Sequence, residues 1–191
     1  MNEPVKSVNV RIRRMQLDDL PQVVEIDRSS FNLPWPTNAY RFELLENPNS
    51  LVYVAERIAL SAEPIVIGLC VIWLILDEAH VATLATHPDY RRLGIARRLL
   101  IQALLDSIQR GCTSATLEVR AGNQAAQALY QEFGFEVAGR RPKYYQDNLE
   151  DALIMTVSPL GTAYQTWLMD ISAKLDQYHL NELPHTLRST D

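Results

Sequence analysis

Pro88-Asp89-Tyr90-Arg91-Arg92-Leu93-Gly94-Ile95-Ala96-Arg97-Arg98-Leu99-Leu100 carries a short basic turn with one glycine straight into an apolar-periodic helix. Read as a first helical turn, positions 92 to 97 present backbone N–H groups with no partner inside the helix. Those donors, backed by the helix dipole, form a receptor for a phosphate or pyrophosphate. Gly94 lets a ligand approach the backbone closely, and Ala96 is the next smallest residue at a second close-contact point. Arg91, Arg92, Arg97 and Arg98 add positive charge. Glycine and arginine at a loop-to-helix junction can equally be structural, so the neighbouring segments decide.

Before the turn lies an apolar, β-rich segment, Val81-Ala82-Thr83-Leu84-Ala85-Thr86, and after the helix another, Ala115-Thr116-Leu117-Glu118-Val119-Arg120. Strand, anion-type turn, helix and strand make a βαβ unit, which is how many nucleotide-binding folds hold a pyrophosphate. The glycine spacing gives no dinucleotide fingerprint, and no Gly-Lys-Ser/Thr phosphate loop occurs. The reading is a pyrophosphate ligand other than a dinucleotide or ATP.

Arg91-x-x-Gly94-x-Ala96 resembles the Gln/Arg-x-x-Gly-x-Gly/Ala signature of the GNAT superfamily of N-acetyltransferases. Leu117 to Tyr130 and Phe133-Gly134-Phe135 are similar to the same superfamily, and most to its bacterial ribosomal-protein-alanine N-acetyltransferase (RimI-type) branch. Leu76-Asp77-Glu78-Ala79, Arg141-Pro142-Lys143-Tyr144-Tyr145 and Glu150 to Met155 also resemble that branch, whereas His87 replaces an acidic residue common there. The resemblance covers roughly residues 9 to 158. It implies an α/β (α+β) GNAT fold, with a mixed sheet of about seven strands flanked by about four helices. It also implies acetyl-CoA as cosubstrate, its pyrophosphate held by backbone N–H groups of Arg92, Leu93, Gly94, Ile95, Ala96 and Arg97.

Composition agrees with one globular domain. The chain has 191 residues, 47% of them hydrophobic, enough for a sizeable core. Eighteen basic against 23 acidic residues give a net charge of −5, which argues against a general nucleic-acid binder. Cys70 and Cys112 offer neither a metal spacing nor a disulfide framework and read as buried thiols in a reducing compartment. No metal site is expected. The longest apolar run, Ile65 to Leu76, is 12 residues and too short to span a bilayer. Met1 to Lys6 lacks a signal-peptide core. The expectation is a cytoplasmic protein with no membrane contact.

Residues 1–158 read as the acetyltransferase domain. Val8 to Arg14 alternates like a half-buried strand. Asp18 or Asp19 can cap a helix running to about Ser29 with Val23, Val24 and Ile26 inward, and Thr37 can cap a second ending near Asn47-Pro48. Between them, Phe31 to Pro36 forms a rigid loop because of its two prolines. Strands follow at Leu51 to Arg57 and Ile65 to Leu76, then the βαβ unit. A helix from Asn123 to Phe133 and strands at Phe135 to Tyr144 and Ala152 to Val157 close the domain. Residues 159–191 form an extension. Tyr164, Trp167, Leu168, Ile171, Leu175, Tyr178 and Leu180 recur at near-helical spacing over 162–180. Such a helix can pack back onto the domain or meet a partner or second copy, and Asn181 to Asp191 reads as a loose end.

Acetyl transfer to an amine requires a neutral amine, a stabilised oxyanion and a proton for the leaving thiolate. An α-amine titrates near ~7.7–8.0, so a modest base suffices. Glu118 lies in an otherwise apolar strand that would partly desolvate it, or it points outward and pairs with Arg120. Tyr130, seven residues after Asn123, falls on nearly the same helix face, facing the groove or packed under the sheet. The resemblance implies that Glu118 is the general base and Tyr130 the general acid. It implies further that Asn123 contacts the cofactor while capping its helix, and that Leu84, Ala85 and Thr86 hold the thioester carbonyl and pantetheine arm through backbone groups. Phe31, Trp35, Tyr144 and Tyr145 match loops lining the peptide groove, with core packing an equal reading for Phe31 and Trp35. None of the four histidines is given a role.

The function expected is direct transfer, in a ternary complex, to a protein N-terminal α-amine, by resemblance the alanine of ribosomal protein S18. The alternatives are a relative of the same fold acting on a lysine, small amine or antibiotic, and a coenzyme A-binding module without turnover.

Overall fold

A computed structural model describes residues 9–59 and 62–182, with the side chains of the last helix described to Asp176. Seven strands, β1 (Val10–Arg14), β2 (Ser50–Ala59), β3 (Ala62–Ile75), β4 (Glu78–Thr86), β5 (Ser114–Arg120), β6 (Glu136–Tyr145) and β7 (Glu150–Val157), form one sheet in the order β1-β2-β3-β4-β5-β7-β6. Neighbours are antiparallel except β4 and β5. That pair is joined by a helical crossover, the connection a parallel pair needs. The crossover is α3 (Ile95–Gln109); the other helices are α1 (Leu20–Ser30), α2 (Ala39–Leu45), α4 (Gln124–Glu132) and α5 (Thr162–Glu182). A mixed seven-stranded sheet with four helices and a C-terminal fifth is the architecture the sequence implies.

The sheet has two apolar faces. One buries Leu99, Leu100 and Leu104 of α3 and Tyr130 and Phe133 at α4, with Leu160 and Leu168 from the C-terminal segment. The other buries Val23 and Ile26 of α1 and Tyr40 of α2. Each fully buried leucine or isoleucine contributes about 1.5–3 kcal/mol.

β4 and β5 pair only over Glu78–Val81 against Ser114–Leu117. At that end, the β3 register shifts between Val71 and Ile72, leaving Ala82 as an extra residue on β4. A bulge bends the strand and re-aims its side chains. Before it, Ala79 and Val81 belong to the α3 face; after it, Leu84 does, while Ala82 and Ala85 lie on the α1 face. Beyond Val81 the two strands part, and the gap opens toward the start of α3.

Several local expectations need correction. The first turn of α3 starts at Ile95, not Arg92: Gly94 precedes it in the left-handed region (φ 75°), as does Arg92 (φ 66°). Pro88–Tyr90 is a separate 3-10 turn. Asp19 does not cap α1 with its side chain; it closes a 3-10 turn, Leu17–Asp19, and is bound by Arg13 at 2.7 and 2.8 Å. Burial pushes the Asp19 carboxyl up, but Arg13 and the Gln16 N–H outweigh it and hold it below the usual range. α2 starts at Ala39, and Thr37 Oγ1 accepts instead from Arg28.

α5 packs back on the domain. Tyr164 donates to the Phe133 carbonyl at 2.7 Å, Leu168 is fully buried, and Trp167 stands edge-on to Phe133. Val8, the side chains of Tyr178 and Leu180, the first six residues and the end from 183 lie outside what is described.

Candidate active site

The gap between β4 and β5 joins two cavities. On the α3–α4 side, one of about 400 Å³ is floored by Leu84, Thr86, Gly94, Ile95, Ala96 and Leu129. Among the described residues, no N–H from Arg92 to Arg97 has a partner, so the unsatisfied donors of a helix start converge here. A Cβ at Gly94 would find only Leu175 Cδ2, at 3.9 Å. Four arginines were expected to charge this turn. Two are already neutralised: Arg97 grips Glu132 at 2.7–3.0 Å, and Arg98 holds Asp176 and the Leu175 carbonyl. Leu93 packs on the core and offers its backbone alone. Arg91 Nε donates to the Thr86 carbonyl at 3.4 Å.

β4 has no β5 partner after Val81. The His87 N–H bonds back to Ile67 of β3. Alternation along the strand therefore turns the backbone groups of Leu84 and Thr86 into the gap. Ala85 is 5% exposed and faces the α1 side, so any part it takes is through its main chain.

On the other side of the gap lies a cavity of about 350 Å³, bounded by Phe31, Trp35, Ala82, Glu118, Asn123 and Tyr145. Leu84, Ala126 and Tyr130 line both cavities, so they mark where the two meet. Tyr130 is 8% exposed, and burial raises its hydroxyl well above the ordinary tyrosine value. Asn123 Oδ1 caps α4, accepting from the Ala126 N–H at 3.1 Å. Glu118 projects from β5 between basic side chains of two other strands. His80 Nε2 of β4 lies 3.2 Å from one carboxylate oxygen, and Arg141 Nη2 of β6 lies 3.0 Å from the other.

The profile of the acetyltransferase (GNAT) family matches residues 20–135. The chain belongs to the GNAT family. It is an acetyl-CoA-dependent N-acetyltransferase. A provisionally named ribosomal-protein-bS18-alanine N-acetyltransferase of Bacillus subtilis is 39% identical over 147 residues, covering 77% of this chain and 94% of that one. The bS18-alanine N-acetyltransferase of Escherichia coli K12 is 33% identical over 158 residues, covering 76% and 95%. The crystal structure of the Escherichia coli S18-alanine enzyme superposes with a TM-score of 0.69 at 30% identity, covering 79% and 94%.

Within this GNAT site, Arg120 is not the partner of Glu118. It turns to the β6–β7 connection, with Asp147 at 2.9 Å through both oxygens and Glu150 at 3.1 Å. Its guanidinium lies 3.8 Å from the centre of the Tyr145 ring. Burial pushes the Tyr145 hydroxyl up to about 12, against the opposing charge of Arg120. Asn32 reaches Asp147 at 3.4 Å, so the α1–α2 and β6–β7 connections meet over the second cavity.

Trp35 both walls that cavity and packs in the core, so its two readings hold together. Its ring stacks on Tyr40 and Trp73, and its N–H donates to Asp27 at 2.7 Å. Asp27 also accepts from Tyr40 at 2.7 Å, and burial raises its carboxyl despite these donors. Phe31 is half exposed on the rim. Tyr144 does not join the other three aromatics. It stands 41% exposed outside the cavity, edge-on to Tyr145 and 5.5 Å from the Arg141 guanidinium. Bulges in β6 between Arg141 and Tyr145 turn the two tyrosines apart.

Sequence reasoning missed His80, Asp27, Arg141 and Asp147. His80 and Arg141 reach Glu118, and Asp147 reaches Arg120, across strands distant in the chain, while Asp27 bonds Trp35 and Tyr40 across the α1–α2 loop; only the fold brings these pairs together. His87, by contrast, caps the 3-10 turn, its Nδ1 accepting from the Asp89 N–H at 3.3 Å.

Proposed function

We propose that this enzyme acetylates protein N-terminal α-amines in the cytoplasm, and that its acceptor is the N-terminal alanine of ribosomal protein bS18. The observation that carries this is the shared wall at Leu84 and Tyr130. It gives a donor cavity ending at an anion-binding turn and an acceptor cavity walled by Phe31, Trp35 and Tyr145, meeting at one gap. Aromatic walls and an open rim suit a short peptide terminus better than a small polar metabolite. The bS18-alanine enzymes named above favour the same acceptor.

In this reading, the N–H groups of Arg92 to Arg97 hold the pyrophosphate of acetyl-CoA. Leu84, Ala85 and Thr86 guide its thioester arm along the free edge of β4, and Asn123, at the start of α4, reaches the thioester end of the arm from the acceptor side of the gap. Glu118 takes a proton from the acceptor ammonium, directly or through water. The neutral nitrogen attacks the thioester carbonyl, and backbone donors of β4 stabilise the oxyanion. Tyr130 gives its proton to the departing thiolate. Burial keeps its hydroxyl protonated at working pH, and a thiol of pKa about 8.5 makes that transfer uphill, so it occurs late. Tyr144 serves the outer rim of the peptide path.

Mass spectrometry of bS18 from cells with and without this protein tests the acceptor. An N-acetylalanine present only with the protein supports the reading; an unmodified alanine in both samples refutes it.

A further inference from the structure

Two protons must leave the acceptor nitrogen on its way from ammonium to amide, yet among the described residues Glu118 is the one carboxylate lining the acceptor cavity. Glu118 and His80 lie on adjacent strands at the foot of the gap, where β4 and β5 still pair. The imidazole is 17% exposed and stacks on Trp73 (centroids 5.6 Å apart, planes 15°). Trp73 in turn stacks on Trp35, and its Nε1 donates to Glu43 at 2.9 Å. The stack fixes the ring plane, so Nε2 is held 3.2 Å from Glu118 Oε2 while Arg141 Nη2 lies 3.0 Å from Oε1. The titratable and charged groups facing the pair are Arg141 and Tyr145 from β6, with Glu43 of α2 behind the indole.

We propose that His80 acts through Glu118 as a positioning and proton-holding residue for the acceptor amine. The inference rests on the acetyl-transfer reading above. Glu118 takes the first proton from the ammonium and passes it to His80 Nε2, which becomes imidazolium and restores the carboxylate. The nitrogen lone pair forms the C–N bond. As the C–S bond breaks, Glu118 takes the second nitrogen proton and Tyr130 protonates the thiolate. The imidazolium then releases one proton to solvent. Through water, the proton on Glu118 returns to the Tyr130 phenolate, leaving one proton released per amide formed. Imidazole suits this task because its ordinary titration range brackets neutral pH, where a carboxylate alone holds few protons.

The test compares wild type, His80→Phe (which keeps the stack) and His80→Gln, using acetyl-CoA and an N-terminal bS18 peptide across pH 6 to 9. Below the α-amine pKa of ~8, kcat should fall on the order of 10-fold or more in both variants, with peptide KM within about 2-fold. The deficit should shrink as the pH rises past that value, because the first proton is then already gone. A loss equal at every pH, or none, overturns the proposal. If the wild type leaves this peptide untouched, the acceptor reading fails, and the comparison moves to whichever peptide of a panel it acetylates. An acceptor-free arm follows the His80 ring by NMR: its titration midpoint should shift in Glu118→Gln, and an unchanged curve also overturns the pairing.

Discussion

Arg98, in the first turn of α3, donates to the Leu175 carbonyl at 2.7 Å and thereby ties α5 to the start of α3. The guanidinium is 11% exposed and is also held by Asp176. The extension is therefore continuous with the core of the acetyltransferase domain, and its last described turn braces Gly94 from outside.

Loosening α5 should cost stability. Leu168→Ala removes a fully buried side chain and should destabilise by about 2–5 kcal/mol. Arg98→Ala removes the guanidinium bonds to the Leu175 carbonyl and Asp176 and should cost about 0.5–1.5 kcal/mol. Denaturant unfolding monitored by tryptophan fluorescence reads both. A neutral Leu168→Ala would contradict the packing described.

In the proposed reading the turn before α3 holds the pyrophosphate through its backbone, so Gly94→Val should weaken acetyl-CoA binding more than Arg91→Ala does. Valine at φ 75° also meets the left-handed penalty of about 1–2 kcal/mol, so thermal melting must accompany the titration. Calorimetric affinities in the reverse order would shift the weight to side-chain charge.

With Tyr130 as the proposed general acid, Tyr130→Phe should lower kcat by at least ~10-fold while leaving acetyl-CoA affinity nearly unchanged. Because burial raises that hydroxyl, the wild-type rate should show no alkaline limb from Tyr130 below pH ~10. Stopped-flow acetylation at saturating peptide checks both statements.

Stability should decline at both ends of the pH scale. Burial raises the hydroxyls of Tyr40, Tyr53, Tyr130 and Tyr164 in the folded chain. Above the unfolded tyrosine value of ~10 the unfolded chain loses protons that the folded one keeps, so stability falls as pH rises further. At the acid end, Arg13 holds the Asp19 and Glu56 carboxyls below their ordinary range although burial opposes it. Their contribution is complete above ~pH 5 and is lost as pH falls through the folded values. In Arg13→Ala the acid limb should become shallower, measured by chemical unfolding from pH 3 to 7.

Much of this was legible in the sequence because the signals were local. Gly94 before an apolar-periodic helix marks the left-handed turn into α3, and Asn123 at the head of its helix marks a cap, its Oδ1 accepting from the Ala126 N–H. What escaped was set by register. Strand alternation offers Glu118 a pairing with Arg120, its neighbour on the same strand face, as one of two readings, whereas the sheet brings it His80 from β4 and Arg141 from β6. The Ala82 bulge, which opens the gap, has no glycine or proline to announce it. The start of α3 was placed early because the left-handed residue at Arg92 is not a glycine.

The central claim is acetyl transfer to an N-terminal α-amine. The most direct test incubates the enzyme and acetyl-CoA with an alanine-starting bS18 peptide containing lysine, alongside the same peptide with its α-amine blocked, and maps the products by fragmentation mass spectrometry. One acetyl group should appear on the alanine nitrogen and none on the blocked peptide. Acetylation of the lysine in both peptides, or of neither peptide, would contradict acetyl transfer to the N-terminal α-amine.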